Sequence, residues 1–431
     1  MSRIAVIGTG YVGLTTGACF AHLGHDVVCA DIDASKVKRL SRGLVDILEP
    51  HLDELVQEGL HGGRLRFVLG ASAAAGDAEF AYLCVPTPQG SDGSADLSYI
   101  EAAASEIGGV LPAEAIVVNK STVPVGSTRA VERVLGRPDV RVVSNPEFLR
   151  EGSAVHDFLH PDRIVIGSED EAAAIRVSSL YLRVQAPTIV TDPATAETIK
   201  YAANAFLATK ISFINSVAAI CERVGADVSD VVLGMGYDHR IGHDFLRPGP
   251  GWGGSCFGKD TRALVHTAES RGYDFQLLRC AVDVNEKQFG LVADKVVALA
   301  GGSVKGRVIG AWGLSFKANT GDLRESPALE VVRRLVEAGA TVRGYDPSVL
   351  PESKDSALHG LEGLQIVTDP FSACEGAEVL AVLTEWDEFR FVDLDKVCDR
   401  MAQPRVMDAR NLLDREALRR RGFAYEGIGR L

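Results

Sequence analysis

One cysteine of this chain, Cys256, has a setting that could make its thiol a nucleophile. It stands in the stretch Gly253–Asp260, which reads Gly-Gly-Ser-Cys-Phe-Gly-Lys-Asp. The glycines before it would let a ligand approach the backbone closely. Lys259 follows within one turn if a helix begins at the cysteine, and both a helix N-terminus and a nearby lysine favour the reactive thiolate. The pattern predicts a catalytic thiol, against the alternative of a buried structural cysteine.

A second candidate pair is Lys200 and Asn204, which are four residues apart and therefore share one face of a helix. A lysine on an otherwise apolar helix, with an amide one turn further on, can donate hydrogen bonds to a developing oxyanion. The alternative for Lys200 is an ordinary surface lysine. Two further stretches, Lys120–Thr122 and Asn145–Glu151, each follow a predicted strand, which is where an open α/β sheet places its ligands.

The N-terminal glycines form a pattern typical of dinucleotide binding, Gly8-Thr-Gly10-Tyr-Val-Gly13, directly after the first predicted strand. Gly8 permits the tight turn, Gly10 lets the backbone approach a pyrophosphate, and Gly13 lets helix and strand pack closely. The N-terminus of the following helix favours the phosphate charge. Asp31 closes the second strand, where a carboxylate would accept ribose hydroxyls and repel the 2′-phosphate of NADP, so NAD is the predicted cofactor. Lys36 argues the other way, because it could pair with a 2′-phosphate; its alternative is a solvated helix residue.

Three cations in the second half of the chain, Lys317, Arg324 and Arg410, stand beside the ends of predicted strands. Each alone would be an ordinary surface charge. Together they indicate that the second half binds an anion.

A metal site is not expected. His239 and His243 are four residues apart, but no carboxylate completes the His-Glu-x-x-His pattern of a zinc site. The eight cysteines stand singly, as expected of reduced thiols rather than of a disulfide scaffold.

Apolar, β-branched runs separated by helix-length segments indicate parallel sheets that are buried on both faces. The predicted strands are Ile4–Ile7, Val27–Ala30, Phe80–Val85, Ile116–Val118, Val140–Val143, Ile164–Ile166, Arg307–Ala311, Thr341–Tyr345, Val379–Leu383 and Arg405–Met407. A single Ala-rich helix is predicted over Ala194–Val224, with Asp192 as its N-cap and Pro193 as its first residue. We therefore predict an α/β fold in which two Rossmann-like, doubly wound domains, 1–191 and 301–431, are joined by a long central helix and a helical core, 192–300.

Composition excludes several classes of protein. The 431 residues include 58 Asp and Glu against 45 Lys and Arg, a net charge of −13. This acidic balance and the absence of basic runs argue against a nucleic-acid partner. No apolar run approaches the roughly 20 residues that span a bilayer, and the N-terminus enters a strand pattern without a secretory signal. A cytoplasmic protein with no nucleic-acid and no membrane partner is expected.

The combined motifs resemble those of the UDP-glucose/GDP-mannose dehydrogenase family, most closely its UDP-glucose 6-dehydrogenase branch. The resemblance runs from Ile4 to about Arg410, with the motifs in the expected order. Besides the stretches named above, it rests on Arg240–Gly242, Lys317–Arg324 and Asp408–Arg410. It implies an N-terminal NAD domain, a helical dimerisation core and a C-terminal nucleotide-sugar domain. One departure is Gly258, where the family commonly has proline, a change expected to alter loop stiffness rather than chemistry.

The resemblance also implies a role for each matching residue. Cys256 would be the nucleophile. Lys200, Asn204 and Asp260 would position water and stabilise the oxyanion, while Thr122 and Glu147 would assist proton transfer. The implied NAD-binding residues are Gly8, Gly10, Tyr11, Val12, Gly13, Asp31, Lys36, Pro86, Thr87, Ser121, Thr122, Glu151, Lys259 and Arg324. The implied substrate-binding residues are Glu147, Phe148, Leu149, Arg150, Glu151, Lys200, Asn204, Arg240, Phe245, Arg247, Gly249, Gly253, Phe316, Lys317 and Arg410. Arg240 would reach the site from the neighbouring subunit of a homodimer.

The implied activity is a four-electron oxidation of the C6 hydroxymethyl group of a nucleotide hexose to the uronic acid, through a cysteine thiohemiacetal and thioester, with two NAD reduced. UDP-glucose is favoured because Arg240–Gly242 and Pro250–Cys256 resemble that branch. The same chemistry on dTDP-glucose or GDP-mannose remains an alternative. A two-electron dehydrogenase of the 3-hydroxyacid type is a further alternative. Such enzymes need neither an active-site cysteine nor a second nucleotide domain, so Cys256 and residues 306–410 count against it. A non-catalytic NAD-binding regulator is the third alternative, but it has no need for Cys256, Lys200 and Asp260 together.

Overall fold

The computed structural model describes residues 1–90 and 95–430. These residues divide into two compact units, one of residues 1–203 and 262–273, the other of residues 204–261 and 274–430. Two boundaries fall inside helices, at residues 203/204 and 261/262. The division of the chain into three domains therefore stays a prediction.

The first unit is built on an eight-stranded sheet in the order β3-β2-β1-β4-β5-β6-β7-β8. Its strands are β1 (Arg3–Ile7), β2 (Asp26–Asp31), β3 (Leu65–Leu69), β4 (Phe80–Leu83), β5 (Ile116–Asn119), β6 (Arg141–Ser144), β7 (Ile164–Gly167) and β8 (Thr188–Thr191). Its helices are α1 (Tyr11–His22), α2 (Ala34–Leu40), α3 (Leu52–His61), α4 (Ala71–Ala75), α5 (Ser98–Gly108), α6 (Ser127–Leu135), α7 (Ala154–Leu159) and α8 (Glu171–Ser179). Strands β1 to β6 are parallel, as predicted, but β7 pairs antiparallel with β6.

Four helices follow, namely α9 (Pro193–Val224), α10 (Val228–Gly236), α11 (Gly254–Ser270) and α12 (Gln276–Leu299). Helix α9 begins as predicted: the Asp192 carboxylate accepts hydrogen bonds from the Thr195 backbone N–H (2.9 Å) and hydroxyl (2.6 Å). By length and composition α9 alone, among the helices of the described residues, would be long and apolar enough to cross a membrane. Core helices often meet the same criterion, and Glu197, Lys200 and Lys210 interrupt the apolar residues of α9, so this finding does not overturn the expectation.

The second unit contains a fully parallel six-stranded sheet in the order β11-β10-β9-β12-β13-β14. Its elements are β9 (Val308–Trp312), α13 (Pro327–Glu337), β10 (Thr341–Tyr345), β11 (Leu364–Ile366), α14 (Pro370–Cys374), β12 (Val379–Val382), α15 (Leu394–Arg400), β13 (Arg405–Asp408), α16 (Arg415–Arg420) and β14 (Ala424–Gly427), with short 3-10 helices at Ser356–Leu358 and Asp387–Phe391. This strand order, which reads 3-2-1-4-5-6 from its own first strand, is that of a Rossmann fold. The same order opens the first sheet, so the prediction of two doubly wound α/β sheets is confirmed.

The predicted strands are the inner strands of both sheets. Strands β3, β8, β11 and β14 were not predicted, and in the described part of the chain they are the four sheet edges. Their residues are partly exposed, as in β8, where Ile189 and Val190 face solvent. The inner strands β4 and β5 are buried at every position.

Candidate active site

The geometry of the glycines in the N-terminal motif fits the three functions that their spacing predicts. Gly8 follows β1 with a φ of +97°, and a Cβ there would lie 2.6 Å from the carbonyl oxygen of Cys84. At Gly13 a Cβ would lie 1.9 Å from the carbonyl oxygen of Gly8. Gly10, the N-cap of α1, has open space where its Cβ would be. Open space at a helix N-terminus is what a bound pyrophosphate requires, so these residues fit a dinucleotide.

Asp31 lies at the end of β2 and faces the same turn. Its carboxylate accepts hydrogen bonds from the Thr9 backbone N–H (3.1 Å) and hydroxyl, and from the Lys36 ammonium (3.1 Å). Burial raises the pKa of Asp31, but these donors outweigh it and bring the pKa to about 2. Lys36 is thus paired with Asp31 in this structure.

Glu147 and Lys200 form a buried ion pair in the first unit. The Lys200 ammonium donates to Glu147 Oε1 (2.9 Å), and the Leu149 N–H donates to Oε2 (2.6 Å). Both side chains are about 5% exposed. Burial would raise the pKa of Glu147, but the adjacent Lys200 charge lowers it overall. Lys200 also lies 5.5 Å from the centre of the Phe148 ring. The surface-lysine alternative for Lys200 is therefore excluded.

A second buried lysine, Lys120, lies after β5. Its ammonium donates to Asn145 Oδ1 (3.2 Å), which also accepts the Tyr181 hydroxyl (2.6 Å), and the Asn145 amide donates to the Val165 carbonyl (2.8 Å). Burial lowers the pKa of Lys120 to about 8. This network fixes Asn145, two residues before Glu147. Tyr181 carries no motif, so sequence reasoning missed it.

The other predicted residues of the first unit lie near these strand ends. The Ser121 hydroxyl donates to the Val85 carbonyl (2.7 Å), and the Thr87 hydroxyl donates to the Thr122 carbonyl (2.8 Å), which joins the turns after β4 and β5. Pro86 is exposed. Arg150 pairs with Asp157 (2.6 Å).

Cys256 lies in the first turn of α11, which begins at Gly254. The residue is partly exposed, and its sulfur lies 3.6 Å from the Ser255 hydroxyl oxygen. Gly254 has a φ of +81°, and a Cβ there would lie 2.7 Å from the Phe316 ring. The condition set by the sequence, a helix that begins near the cysteine, is therefore met. A helix N-terminus favours a thiolate.

Asp260, one turn after Cys256, is fully buried and bonded through both oxygens. Asn204 Nδ2 donates to Oδ2 (2.6 Å), and the Lys259 ammonium donates to Oδ1 (2.6 Å). Asp260 therefore orients an amide and a cation beside the start of α11. Lys259, predicted to contact NAD, is paired with Asp260.

The glycine-rich loop before Cys256 is held by uncharged side chains that sequence reasoning missed. Asn285 accepts the Trp252 N–H (2.8 Å) and donates to the Trp252 carbonyl (2.9 Å). The backbone of Gly249 is hydrogen-bonded in the same way by two residues: Asn215 accepts a hydrogen bond from its N–H (2.8 Å), and Gln288 donates one to its carbonyl (2.8 Å). We call these three amides, Asn215, Asn285 and Gln288, the amide clamp.

The predicted anion-binding residues of the second unit lie around the ends of its strands. The Arg410 guanidinium donates to the carbonyls of Leu383 (2.9 Å) and Phe316 (3.2 Å) and lies 3.3 Å from the position of a Cβ on Gly249. Lys317 lies 5.5 Å from the Phe316 ring centre. The structure thus brings Arg410, Phe316 and the loop at Gly249 together.

Two predicted arginines bind carboxylates in their own exposed turns. Arg324 pairs bidentately with Asp322 (2.7 and 2.8 Å), and Arg240 does so with Asp238 (2.5 and 3.0 Å). Near Arg240, Phe245 has a φ of +62° and packs 6.2 Å from the Phe257 ring. The Arg240 side chain is 78% exposed.

Comparison with known proteins places this arrangement in a family. Three models of the UDP-glucose/GDP-mannose dehydrogenase family match in order: the NAD binding domain at residues 2–185, the central domain at 194–287 and the UDP binding domain at 310–415. The chain is 48% identical to UDP-glucose 6-dehydrogenase TuaD of Bacillus subtilis, covering 100% of this chain and 94% of that protein. It is also 48% identical to a UDP-glucose 6-dehydrogenase of Rhizobium meliloti, covering 99% of both.

Solved structures agree. A UDP-glucose dehydrogenase of Pyrobaculum islandicum has a TM-score of 0.89 at 39% identity, covering 100% of this chain and 98% of that one. A UDP-D-ManNAc dehydrogenase of Pyrococcus horikoshii has a TM-score of 0.88 at 30% identity, with 99% of both chains covered. The fold, the dinucleotide turn and the cysteine at the start of α11 therefore have one explanation: the chain belongs to the UDP-glucose/GDP-mannose dehydrogenase family.

Proposed function

We propose that this protein is an NAD-dependent UDP-glucose 6-dehydrogenase, which oxidises the C6 hydroxymethyl group of UDP-glucose to a carboxylate. One observation carries the proposal: Cys256 occupies the first turn of α11, and Asp260 orients Asn204 and Lys259 one turn later. Relatives named UDP-glucose 6-dehydrogenase, 48% identical over nearly the whole chain, support the choice of substrate.

Cys256 solves the problem of a reaction that removes four electrons in two steps. The thiolate forms a C–S bond to the aldehyde carbon and gives a thiohemiacetal, so the aldehyde is not released. Loss of a hydride and a proton from this adduct, for which NAD would be the hydride acceptor, gives a thioester. Water then adds to the thioester carbon, the C–S bond breaks, and the carboxylate and the free thiol are formed.

The polar residues stabilise charge during these steps. Asn204 and Lys200 donate to the oxygen that becomes negative, an effect typically worth roughly 3–4 kcal/mol per donor. Glu147, which Lys200 keeps ionised, assists proton transfer together with Thr122. The sugar nucleotide is held by Phe148–Arg150, the loop 247–253, Phe316, Lys317 and Arg410.

The residues of the dinucleotide turn fit NAD. Gly10 leaves room for the pyrophosphate at the start of α1, and Asp31 faces the turn as a carboxylate acceptor for ribose hydroxyls. When bound there, NAD would supply the hydride acceptor for each of the two oxidations. Glu151, Lys259 and Arg324 are further cofactor residues in the proposal.

The proposed enzyme is a cytoplasmic homodimer. Helix α9 exposes Phe206, Phe213 and Ile220, spaced every seven residues, and an exposed apolar stripe of this kind marks a protein interface. Arg240, on an exposed turn of the same unit, completes the site of the neighbouring subunit.

The decisive test is Cys256→Ser with UDP-glucose and NAD, measuring NADH and uronic acid per sugar consumed. The wild type is expected to give two NADH per sugar, and the variant is expected to yield no carboxylate. Cys280→Ser, which alters an exposed thiol on α12, is the control. A Cys256→Ser variant that still makes two NADH per sugar overturns the mechanism.

A panel of UDP-, dTDP- and GDP-hexoses tests the substrate. Highest kcat/KM with UDP-glucose supports the proposal, whereas preference for dTDP-glucose or GDP-mannose replaces the substrate and keeps the chemistry. One NADH per substrate would instead favour a two-electron dehydrogenase of the 3-hydroxyacid type. NAD binding without any turnover would favour a regulator.

A further inference from the structure

Glu49, in the segment between α2 and α3, is a buried carboxylate to which no motif assigns a role. It is 6% exposed. Its Oε2 accepts the Tyr11 hydroxyl and the Gly152 backbone N–H (2.7 Å), and its Oε1 accepts the Val155 N–H (3.3 Å). The Gly152 N–H also points at the Tyr11 hydroxyl oxygen (2.6 Å). Glu49 and Tyr11 thus meet at one amide.

One end of this network is the dinucleotide turn. Tyr11 is the first residue of α1, and the first hydrogen bond of that helix runs from the Leu14 N–H to the Gly10 carbonyl (2.9 Å). The amides of residues 11–13 precede that bond and are the ones that a helix N-terminus offers to a phosphate. The Tyr11 side chain therefore leaves the pyrophosphate site in the direction of Glu49.

The other end is the segment that carries Glu147. Gly152 has a φ of +79°, and the turn beside it is closed by the Ser153 N–H, which donates to the Arg150 carbonyl (3.0 Å). Val155 lies in the first turn of α7, so Glu49 also caps that helix from a distant part of the sequence. Glu49 therefore holds both the end of the segment 145–153 and the helix that follows it.

We propose that Glu49 and Tyr11 form a latch that fixes the segment 145–153 to the dinucleotide turn, and that Glu49 is a positioning residue for the dehydrogenase. A carboxylate makes stronger hydrogen bonds to N–H and O–H donors than a neutral acceptor does. The latch therefore sets the distance between the amides that bind pyrophosphate and the segment that holds Glu147 and Glu151. The consequence for catalysis rests on the proposed function, whereas the consequence for NADH binding does not.

The test compares Glu49→Gln, Tyr11→Phe and the double variant with the wild type. NADH dissociation constants are measured by fluorescence titration. The kcat and the KM values for UDP-glucose and NAD are measured by steady-state kinetics. Each single variant is expected to weaken NADH binding about tenfold, the size of one lost charge-assisted hydrogen bond. The double variant is expected to bind NADH no more weakly than either single variant, because all three lack the same link. Glu54→Gln changes an exposed carboxylate on α3 and is expected to match the wild type.

Each outcome bears on the latch. NADH affinities within twofold of the wild type overturn it, even if the melting temperature falls, because that result shows a purely structural role. Effects that multiply in the double variant overturn it as well. Tyr11→Phe keeps the ring and so tests the latch if Glu49→Gln fails to fold. If no nucleotide sugar is turned over, the proposed function fails, but the NADH cycle still decides the latch.

Discussion

Asp31 and Asp346 occupy equivalent places in the two sheets, at the end of the second strand, yet their carboxylates are used differently. Each accepts backbone N–H groups from the turn that follows the first strand: Asp31 from Thr9 (3.1 Å), Asp346 from Leu314 (2.8 Å) and Ser315 (2.9 Å). Asp346 also accepts the Trp386 indole N–H (3.1 Å) and is 1% exposed. Asp31 remains partly exposed. The carboxylate available for a ribose in the first sheet is a structural brace in the second.

Asp31→Asn is expected to raise the KM for NAD about tenfold and to increase the kcat/KM for NADP relative to NAD. The variant removes the negative charge that repels a 2′-phosphate and leaves Lys36 without its ion pair. Steady-state kinetics with both cofactors measure the change. Asp346→Asn is the matched control, expected to lower the melting temperature without changing the cofactor ratio. An unchanged ratio in Asp31→Asn would contradict the assignment.

Asn204→Ala is expected to lower kcat about 100-fold while the KM for the sugar nucleotide changes only a few-fold. In the proposed mechanism the amide, which Asp260 orients, donates to an oxyanion that exists only during the reaction. Asp260→Asn disturbs the same amide and should show a similar loss of kcat. Rapid-quench measurement of NADH formation locates the affected step. A kcat within twofold of the wild type in both variants would sink this role.

Asn285→Leu is expected to destabilise the fold by about 2–4 kcal/mol, because the N–H and carbonyl of Trp252 lose their partner while they remain buried. The KM for the sugar nucleotide should also rise, since the loop 247–253 loses its frame. Urea denaturation and steady-state kinetics measure the two effects. Glu286→Gln, an exposed neighbour on α12, is the control. Equal stability of Asn285→Leu and wild type would disprove the clamp.

Lys120→Met is expected to change how stability depends on pH. The pKa of Lys120 is lowered to about 8, chiefly by burial, with Glu147, Cys84 and Lys200 as its charged or titratable neighbours, and Tyr181 as a hydrogen-bond partner. Below pH 8 the buried Lys120 ammonium is charged, and its burial lowers the free energy of unfolding. Between about pH 8 and the unfolded value near 10.5 the unfolded chain binds more protons than the folded one, so this contribution to stability rises with pH.

The free energy of unfolding of the wild type, measured relative to that of Lys120→Met, should therefore increase by about 2 kcal/mol between pH 7.5 and 10. Urea denaturation at both pH values measures the difference. Lys305→Met, at an exposed position, should show no such gain. A wild type that loses stability relative to Lys120→Met over this range would reverse the sign and refute the argument.

Mixing two inactive variants tests whether Arg240 acts across a dimer. Cys256→Ser lacks the proposed nucleophile and Arg240→Ala lacks the arginine. A mixed dimer contains one site with both groups if the arginine comes from the partner. Denaturing and refolding the two together should restore roughly a quarter of the wild-type activity by random pairing. A mixture that stays inactive shows that Arg240 serves its own subunit. Phe213→Glu, in the apolar stripe, should abolish the recovery and give a monomer by light scattering.

The inner strands and the dinucleotide turn could be predicted because local rules specify them. An inner strand such as Phe80–Leu83 is buried on both faces, so its sequence is a continuous apolar run. The four edge strands could not be found in this way: Leu65–Leu69 mixes buried, half-buried and exposed residues, and Leu364–Ile366 is only three residues long. An edge strand is stabilised by its single neighbour, which the local sequence does not reveal.

Some predicted site residues pair with one another, as Lys200 does with Glu147, but the residues that hold the surrounding backbone were not predicted. Glu49 meets Gly152 across 103 positions, and Asn285 meets Trp252 across 33. Nothing near Glu49 or Asn285 in the sequence distinguishes them from surface residues. Their roles follow from burial and pairing, which only the folded chain creates.

The amide clamp has a consequence for how this enzyme can diverge. It grips the main chain of Gly249 and Trp252, not their side chains, and its groups carry no charge at any pH. Side chains elsewhere in the loop can therefore be exchanged while the path of the backbone is preserved. Recognition of a new sugar nucleotide can evolve, or be engineered, on a frame that the exchange does not disturb.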